Sequence, residues 1–228
     1  VNDPNGGPAG EARANAERLR TLLTTESSSA ATDPAYAPER EHFGGYDHRE
    51  IWDLVREELD PAALGAVAAG WRAAADALAA AFHTFSDSTD REFAHWAGRS
   101  ATAARAATRE FVHTGAEASE ASRAIQRLME LNSDAAQTIR TALAPPPEYR
   151  PLTDPAAEVA HGGRRRMEYD IAAAAAQADA QDTMTYLYTP TMPATGDRVP
   201  RLGSPPATIA PNPDPPHTGP PSGGGGAR

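Results

Sequence analysis

The residues best suited to chemistry are seven histidines, His42, His48, His83, His95, His113, His161 and His217, and a surplus of carboxylates, 31 Asp+Glu against 21 Lys+Arg. Histidine can ligate a metal or move a proton near neutral pH, and paired carboxylates can serve as acid and base. Spacing decides whether they do. No two histidines stand four residues apart, so the helical ligand pair of zinc proteases is missing. The densest cluster is Glu41, His42, Asp47, His48 and Glu50, beside Gly44 and Gly45. Asp47 and Glu50 have the spacing of a capping box, so helix initiation and solvated charge account for this cluster more simply than a metal or a reaction.

The chain has no cysteine, which removes disulfides, thiolate metal sites and cysteine nucleophiles. It also lacks a G-x-S-x-G elbow, a phosphate-binding loop and a dinucleotide fingerprint. The sequence therefore assigns no catalytic residue, no cofactor and no metal. Arg164-Arg165-Arg166 is the one dense basic run, and a net charge of -10 argues against a broad nucleic-acid surface. These arginines read as a solvated helix face. No run approaches the roughly 20 apolar residues of a membrane-spanning helix. The N-terminus shows no apolar signal-peptide core either, so export would need another route.

What remains legible is helical. Residues 1 to 46 mix Gly, Pro, Ser and charge and read as a flexible polar leader with one short helical candidate, Glu11 to Leu23. Asp47 and Glu50 open a first helix, expected over 48 to 59 with Ile51, Trp52, Leu54, Val55 and Leu59. Asp60-Pro61 opens a second, because the carboxylate caps free N–H groups and proline has none to lose at the first helical position. Leu64, Val67, Trp71, Ala74, Leu78, Ala81 and Phe85 then recur in steps of three and four up to about Phe93. Trp96-Ala97-Gly98 breaks the pattern, with the indole expected to pack into the corner between two helices.

A third helix over 100 to 143 carries Phe111, Ile125 and Met129 on its apolar face, with Gly115, Ala118 and Ala121 allowing close approach of a neighbour. Pro145-Pro146-Pro147 ends it. Asp154-Pro155 repeats the cap-plus-proline start, Gly162-Gly163 is expected to interrupt, and a fourth helix is expected from Arg164 to about Tyr188. Beyond Pro190 the chain reads as a disordered Pro/Gly-rich tail, 191 to 228. The fold class is all-α: an elongated antiparallel helical hairpin or bundle, 47 to 190, between a disordered leader and tail.

The segment from Ile51-Trp52 through Leu59-Asp60-Pro61, the Trp71 stripe, the Trp96-Ala97-Gly98 turn and the Ala-rich helix after it resemble the helical-hairpin substrates of actinobacterial type VII (ESX) secretion, the PPE/WxG-like proteins. The resemblance covers about residues 46 to 190, and Met184-Thr185-Tyr186 before a proline-rich tail is similar to PPE-like endings. It implies a non-enzymatic protein that pairs in a four-helix arrangement with a small helical WxG/PE-like partner or folds back on itself, engages the secretion machinery, and reaches the cell surface or medium from a cytoplasmic pool. Trp96 and Gly98 would form the hairpin turn. Trp71, Leu78, Phe85, Phe111, Ile125 and Met129 would serve the partner interface or the core.

The chain departs from the family's Tyr-x-x-x-Asp export signal: Tyr46 is followed at the fourth position by Glu50, Tyr169 by Ala173 and Tyr186 by Pro190. Either the partner supplies the signal, as the resemblance to PE/PPE pairs implies, or the chain is not exported by this route. The rival readings are a self-assembling structural protein of the cell envelope, which would be a homo-oligomer, and an enzyme or toxin-delivery domain, for which no nucleophile, ligand set or folded cargo is apparent.

Overall fold

A computed structural model describes residues 14, 17–19, 21, 22, 31–36 and 39–202. Within them the chain forms a short 3-10 turn, Phe43–Gly45, and then five α-helices: α1 His48–Glu57, α2 Pro61–Phe93, α3 Arg99–Ala142, α4 Pro155–Thr183 and α5 Met192–Gly196. A π-helix, Met184–Tyr188, continues α4. No strand occurs among the described residues; Thr32 and Pro200 make one isolated antiparallel bridge.

Local sequence sets most of the helix starts. Asp47 accepts the Glu50 N–H at 2.8 Å and Glu50 accepts the Asp47 N–H at 2.7 Å, a complete capping box. Asp60 accepts from Ala62 and Ala63, and Asp154 from Ala156, each ahead of a proline in the first turn. α1 closes at Glu57, two residues earlier than its pattern suggests. The reason is tertiary: Arg140 of α3 donates to the carbonyls of Val55, Arg56 and Leu59 at 3.0, 3.0 and 2.7 Å. A guanidinium there satisfies carbonyls that the helix end leaves open and meets the negative end of its dipole.

α3, about 66 Å long at 1.5 Å per residue, is the spine. From the hairpin turn to Ser133, which donates to the Pro61 carbonyl, it runs antiparallel to α2. Its C-terminal half gathers α1, the π-helix and α5 around two clusters. In the first, Ile139 and Leu143 meet Phe43, Ile51, Val55, Ala180, Met184 and Leu187. In the second, Leu128, Leu131 and Ala135 meet Leu19.

Three expectations require correction. Gly162-Gly163 does not interrupt α4, which is continuous from Pro155 to Thr183. Gly162 is buried, and a Cβ there would overlap the Glu158 side chain. That carboxylate folds back to accept from the Leu152 N–H at 2.7 Å and the Tyr149 hydroxyl at 2.8 Å. The Leu152 N–H first, then the Tyr149 hydroxyl, hold Glu158 below the usual carboxylate pKa. Secondly, the fourth helix does not stay α-helical to Tyr188 but becomes π from Met184.

Thirdly, the part of the tail over 191 to 202 is folded. Thr191 and Thr195 are buried, and the Thr195 hydroxyl donates to Asn132 Oδ1 at 2.8 Å, itself buried on α3. The leader meets this segment: the Asp33 N–H donates to the Val199 carbonyl at 2.9 Å and the Arg201 N–H to the Ala31 carbonyl at 2.8 Å. The expected helix over 11 to 23 is helical at residues 14, 17–19, 21 and 22, with Leu19 buried on α3. The rest of that helix and the tail beyond 202 lie outside the described residues.

Candidate functional site

The surface that stands out is one flank of the α2–α3 hairpin. The seam between the two helices is built from small residues, with Ala68 and Ala75 of α2 and Ala101, Gly115, Ser119 and Ser122 of α3 all buried. Small side chains let the axes approach closely. Two polar links cross it: the Ser119 hydroxyl donates to the Ala75 carbonyl at 3.0 Å and the Ser133 hydroxyl to the Pro61 carbonyl at 2.8 Å.

A seam centred on Ala68 and Ala75 turns the apolar stripe read from sequence partly outward. Trp71 and Leu78 are half-buried, and Val67 and Phe85 are exposed. From α3, Phe111 is 44% exposed and packs on Phe82 and Phe85 with ring centroids 5.2 and 5.5 Å apart. Together these residues form an apolar ridge along both helices. Ile125 is buried, and Met129 is half-buried against the second core cluster, so these two belong to the protein's own interior.

The opposite flank is charged. Arg72 pairs with Glu130 at 2.7 Å and Arg123 reaches Asp76 at 3.5 Å, each linking the two helices. A hydrogen bond from Gln126, aided by Arg72 and opposed by burial, holds the Glu130 carboxyl below its usual pKa. Between Pro61 and Phe82, Arg72 and Asp76 are the only charged residues of α2. The ridge side of that stretch is thus apolar or alanine throughout.

At the tip, Gly98 takes φ +95°, a conformation that side-chain-bearing residues rarely adopt, and stands as N-cap of α3. Arg105 donates to the carbonyls of Trp96, at 2.9 Å, and Phe93. Trp96 itself does not fill the corner between the helices: it is 54% exposed and rests edge-on against Phe93, centroids 5.4 Å apart. A buried tryptophan would cost about 3–5 kcal/mol on truncation. Trp96→Ala is expected to cost about 1 kcal/mol or less, the size of one exposed aromatic pair. Chemical denaturation measures this, and a loss above about 3 kcal/mol would place the indole in the core after all.

Two features were missed in sequence. Phe82, the aromatic that contacts both Gly115 and Phe111, lies outside the stripe of threes and fours that begins at Leu64. His48 is buried, whereas its acidic neighbours pointed to a solvated cap. One signal was present: His48, Ile51 and Val55 follow the i, i+3, i+7 spacing of the buried face of α1.

Among the described residues no group of three or more His, Asp or Glu is placed to hold a metal, and no helix is long and apolar enough to cross a membrane. Comparison with known protein families, curated proteins and solved structures finds no match to this chain.

Proposed function

We propose that this is a non-enzymatic helical binding protein of the type VII (ESX) secretion class, whose α2–α3 ridge seats a small helical WxG/PE-like partner. The observation that carries the reading is the ridge of Val67, Trp71, Leu78, Phe85 and Phe111, which no other described element covers along a helix pair of about 50 Å. Contiguous apolar surface of this kind is characteristic of interaction sites. An amphipathic partner helix laid along the ridge would give the hairpin the wall it lacks. The same reading places the protein at the cell surface or in the medium after a cytoplasmic stage, with the export signal on the partner.

Light scattering after size-exclusion chromatography tests it, on the full chain alone and co-expressed with a short helical protein encoded beside it. The expected result is a one-to-one complex that Leu78→Glu/Phe85→Glu weakens by at least about 100-fold, since two charges would have to enter an apolar interface. A stable homo-oligomer that ignores the neighbour and is broken by the same double variant would instead establish the self-assembling envelope protein. A monomer indifferent to both would sink the binding reading.

A further inference from the structure

α4 carries a second apolar face, separate from the ridge. Near its C-terminal end Ala180 joins the first core cluster, and upstream one side of the helix is covered by the segment over 145 to 154. There Tyr169 packs edge-on against Tyr149, centroids 5.4 Å apart, and donates to the Pro147 carbonyl at 3.2 Å, while Arg165 donates to the Arg150 carbonyl at 3.1 Å. No described residue covers the other side. Val159, Met167 and Ile171 stand there 89, 60 and 67% exposed. At about 100° of turn per residue, the residues that share this stripe with them are small or alanine, and they are exposed as well.

The stripe is laid out symmetrically about Met167. Gly163 and Ile171 stand four residues to either side, Ala160 and Ala174 seven, Ala156 and Ala178 eleven. An antiparallel second copy, with the two-fold axis at Met167, would set each of these residues in one layer with its counterpart, alanine on alanine and Ile171 over Gly163. Gly163 has no role within a single chain: glycine is a poor helix former, and a Cβ at this position would meet nothing within 4 Å. Against a second copy, the absent side chain is the room that the facing Ile171 needs.

The charges beside the stripe favour the same arrangement. Arg164 and Glu168 lie along one edge and Arg166 and Asp170 along the other, paired within the helix at 2.9 and 3.8 Å. In an antiparallel pair each edge meets the same edge of the second copy running backwards, which brings arginine toward carboxylate on both sides. A parallel pair in register would bring opposite edges together, Arg164 beside Arg166 and Glu168 beside Asp170, like against like. We propose that α4 is a homodimerisation helix, on which a second copy of this chain docks antiparallel about Met167. The face is distinct from the α2–α3 ridge, so partners seated on both ridges would give a two-to-two assembly.

Sedimentation equilibrium of the full chain over a range of concentrations tests this. A monomer–dimer equilibrium is expected with a dissociation constant on the order of 10 µM, the strength of a small transient interface. Ile171→Glu should weaken it at least about tenfold and leave the melting temperature of the dilute monomer unchanged, because the side chain is exposed. Leu78→Glu/Phe85→Glu should dimerise as the unaltered chain does. Cysteine cross-linking with a short bismaleimide reads the orientation, since the chain has no cysteine of its own. Met167→Cys should cross-link alone, and Ala160→Cys only when mixed with Ala174→Cys, because the two copies of residue 160 would stand about 20 Å apart. A monomer at every concentration up to about 500 µM, a dimer that Ile171→Glu leaves intact or that the ridge variant abolishes, or cross-linking of Ala160→Cys with itself overturns the assignment.

Discussion

Ile139→Ala is expected to lower the stability of the protein by about 2–5 kcal/mol, the range for emptying a close-packed aliphatic site. Ile139 is 0% exposed and stands where four parts of the chain converge: Ile51 and Val55 of α1, Leu143 at the close of α3, Ala180 near the end of α4, and Met184 with Leu187 of the π-helix. The neighbours cannot close the gap easily, because α1 is held in place by its capping box and by Arg140, one residue along α3 from the substitution. The cavity term therefore adds to the lost transfer energy rather than relaxing away. Equilibrium urea denaturation measures the change, with the slope expected to stay constant so that the midpoint alone moves. A loss below about 1 kcal/mol would mean that α1 and the π-helix do not share one core with α3.

Gly115→Leu is the second large effect, and it acts on the hairpin instead of the base. Even a Cβ at Gly115 would overlap the Phe82 ring, and the atoms concerned include the Cγ at the root of that ring, which rotation about χ2 does not move, so relief requires a new χ1 rotamer or a shift of the helices. A leucine should cost about 3 kcal/mol, the upper end of overpacking penalties, despite being the better helix former by roughly 1 kcal/mol. The decisive control is Gly115→Leu/Phe82→Ala. Space vacated by the ring should return much of the loss, a coupling of about 1–2 kcal/mol in the double-mutant cycle. Simple additivity would show that Gly115 and Phe82 do not meet. Because Phe82 stacks on Phe111, the single variant should also disturb the ridge, linking seam geometry to partner binding.

The helix starts were legible because their causes are local. Asp47 with Glu50, Asp60 with Pro61, and Asp154 with Pro155 satisfy N–H groups within three residues, and the structure keeps all three. The Gly162-Gly163 misreading shows the limit of the same logic. Glycine is a poor helix former, but the folded Glu158 side chain, anchored by the Leu152 N–H and Tyr149, occupies the space beside Gly162 that any larger residue would need. The tail misreading has a similar origin. A proline-rich composition at 191 to 202 looked unable to fold, and it folds because Asn132 on α3 and the Ala31–Asp33 backbone offer hydrogen bonds from far along the chain.

The candidate site divides in the same way. Periodicity placed Trp71, Leu78, Phe85 and Phe111 on helix faces, but a repeat of threes and fours is about 100° wide and does not say which edge faces the neighbour. Gly115, among the small residues read as the point of close approach, is buried against Phe82 of α2, but Phe82 itself follows only once the register of α2 on α3 is known.

By itself, then, the sequence determined the all-α class, the three capped helix starts, the proline stop after α3 and the glycine that turns the hairpin, all of them set by backbone hydrogen bonding and steric freedom within a few residues. Only the tertiary structure decided that Trp96 stays at the surface, that an alanine seam pushes the larger apolar residues outward, and that His48 is buried against Ala144. Those outcomes depend on contacts between residues tens of positions apart, where close packing selects one rotation of each helix among several that its own periodicity allows.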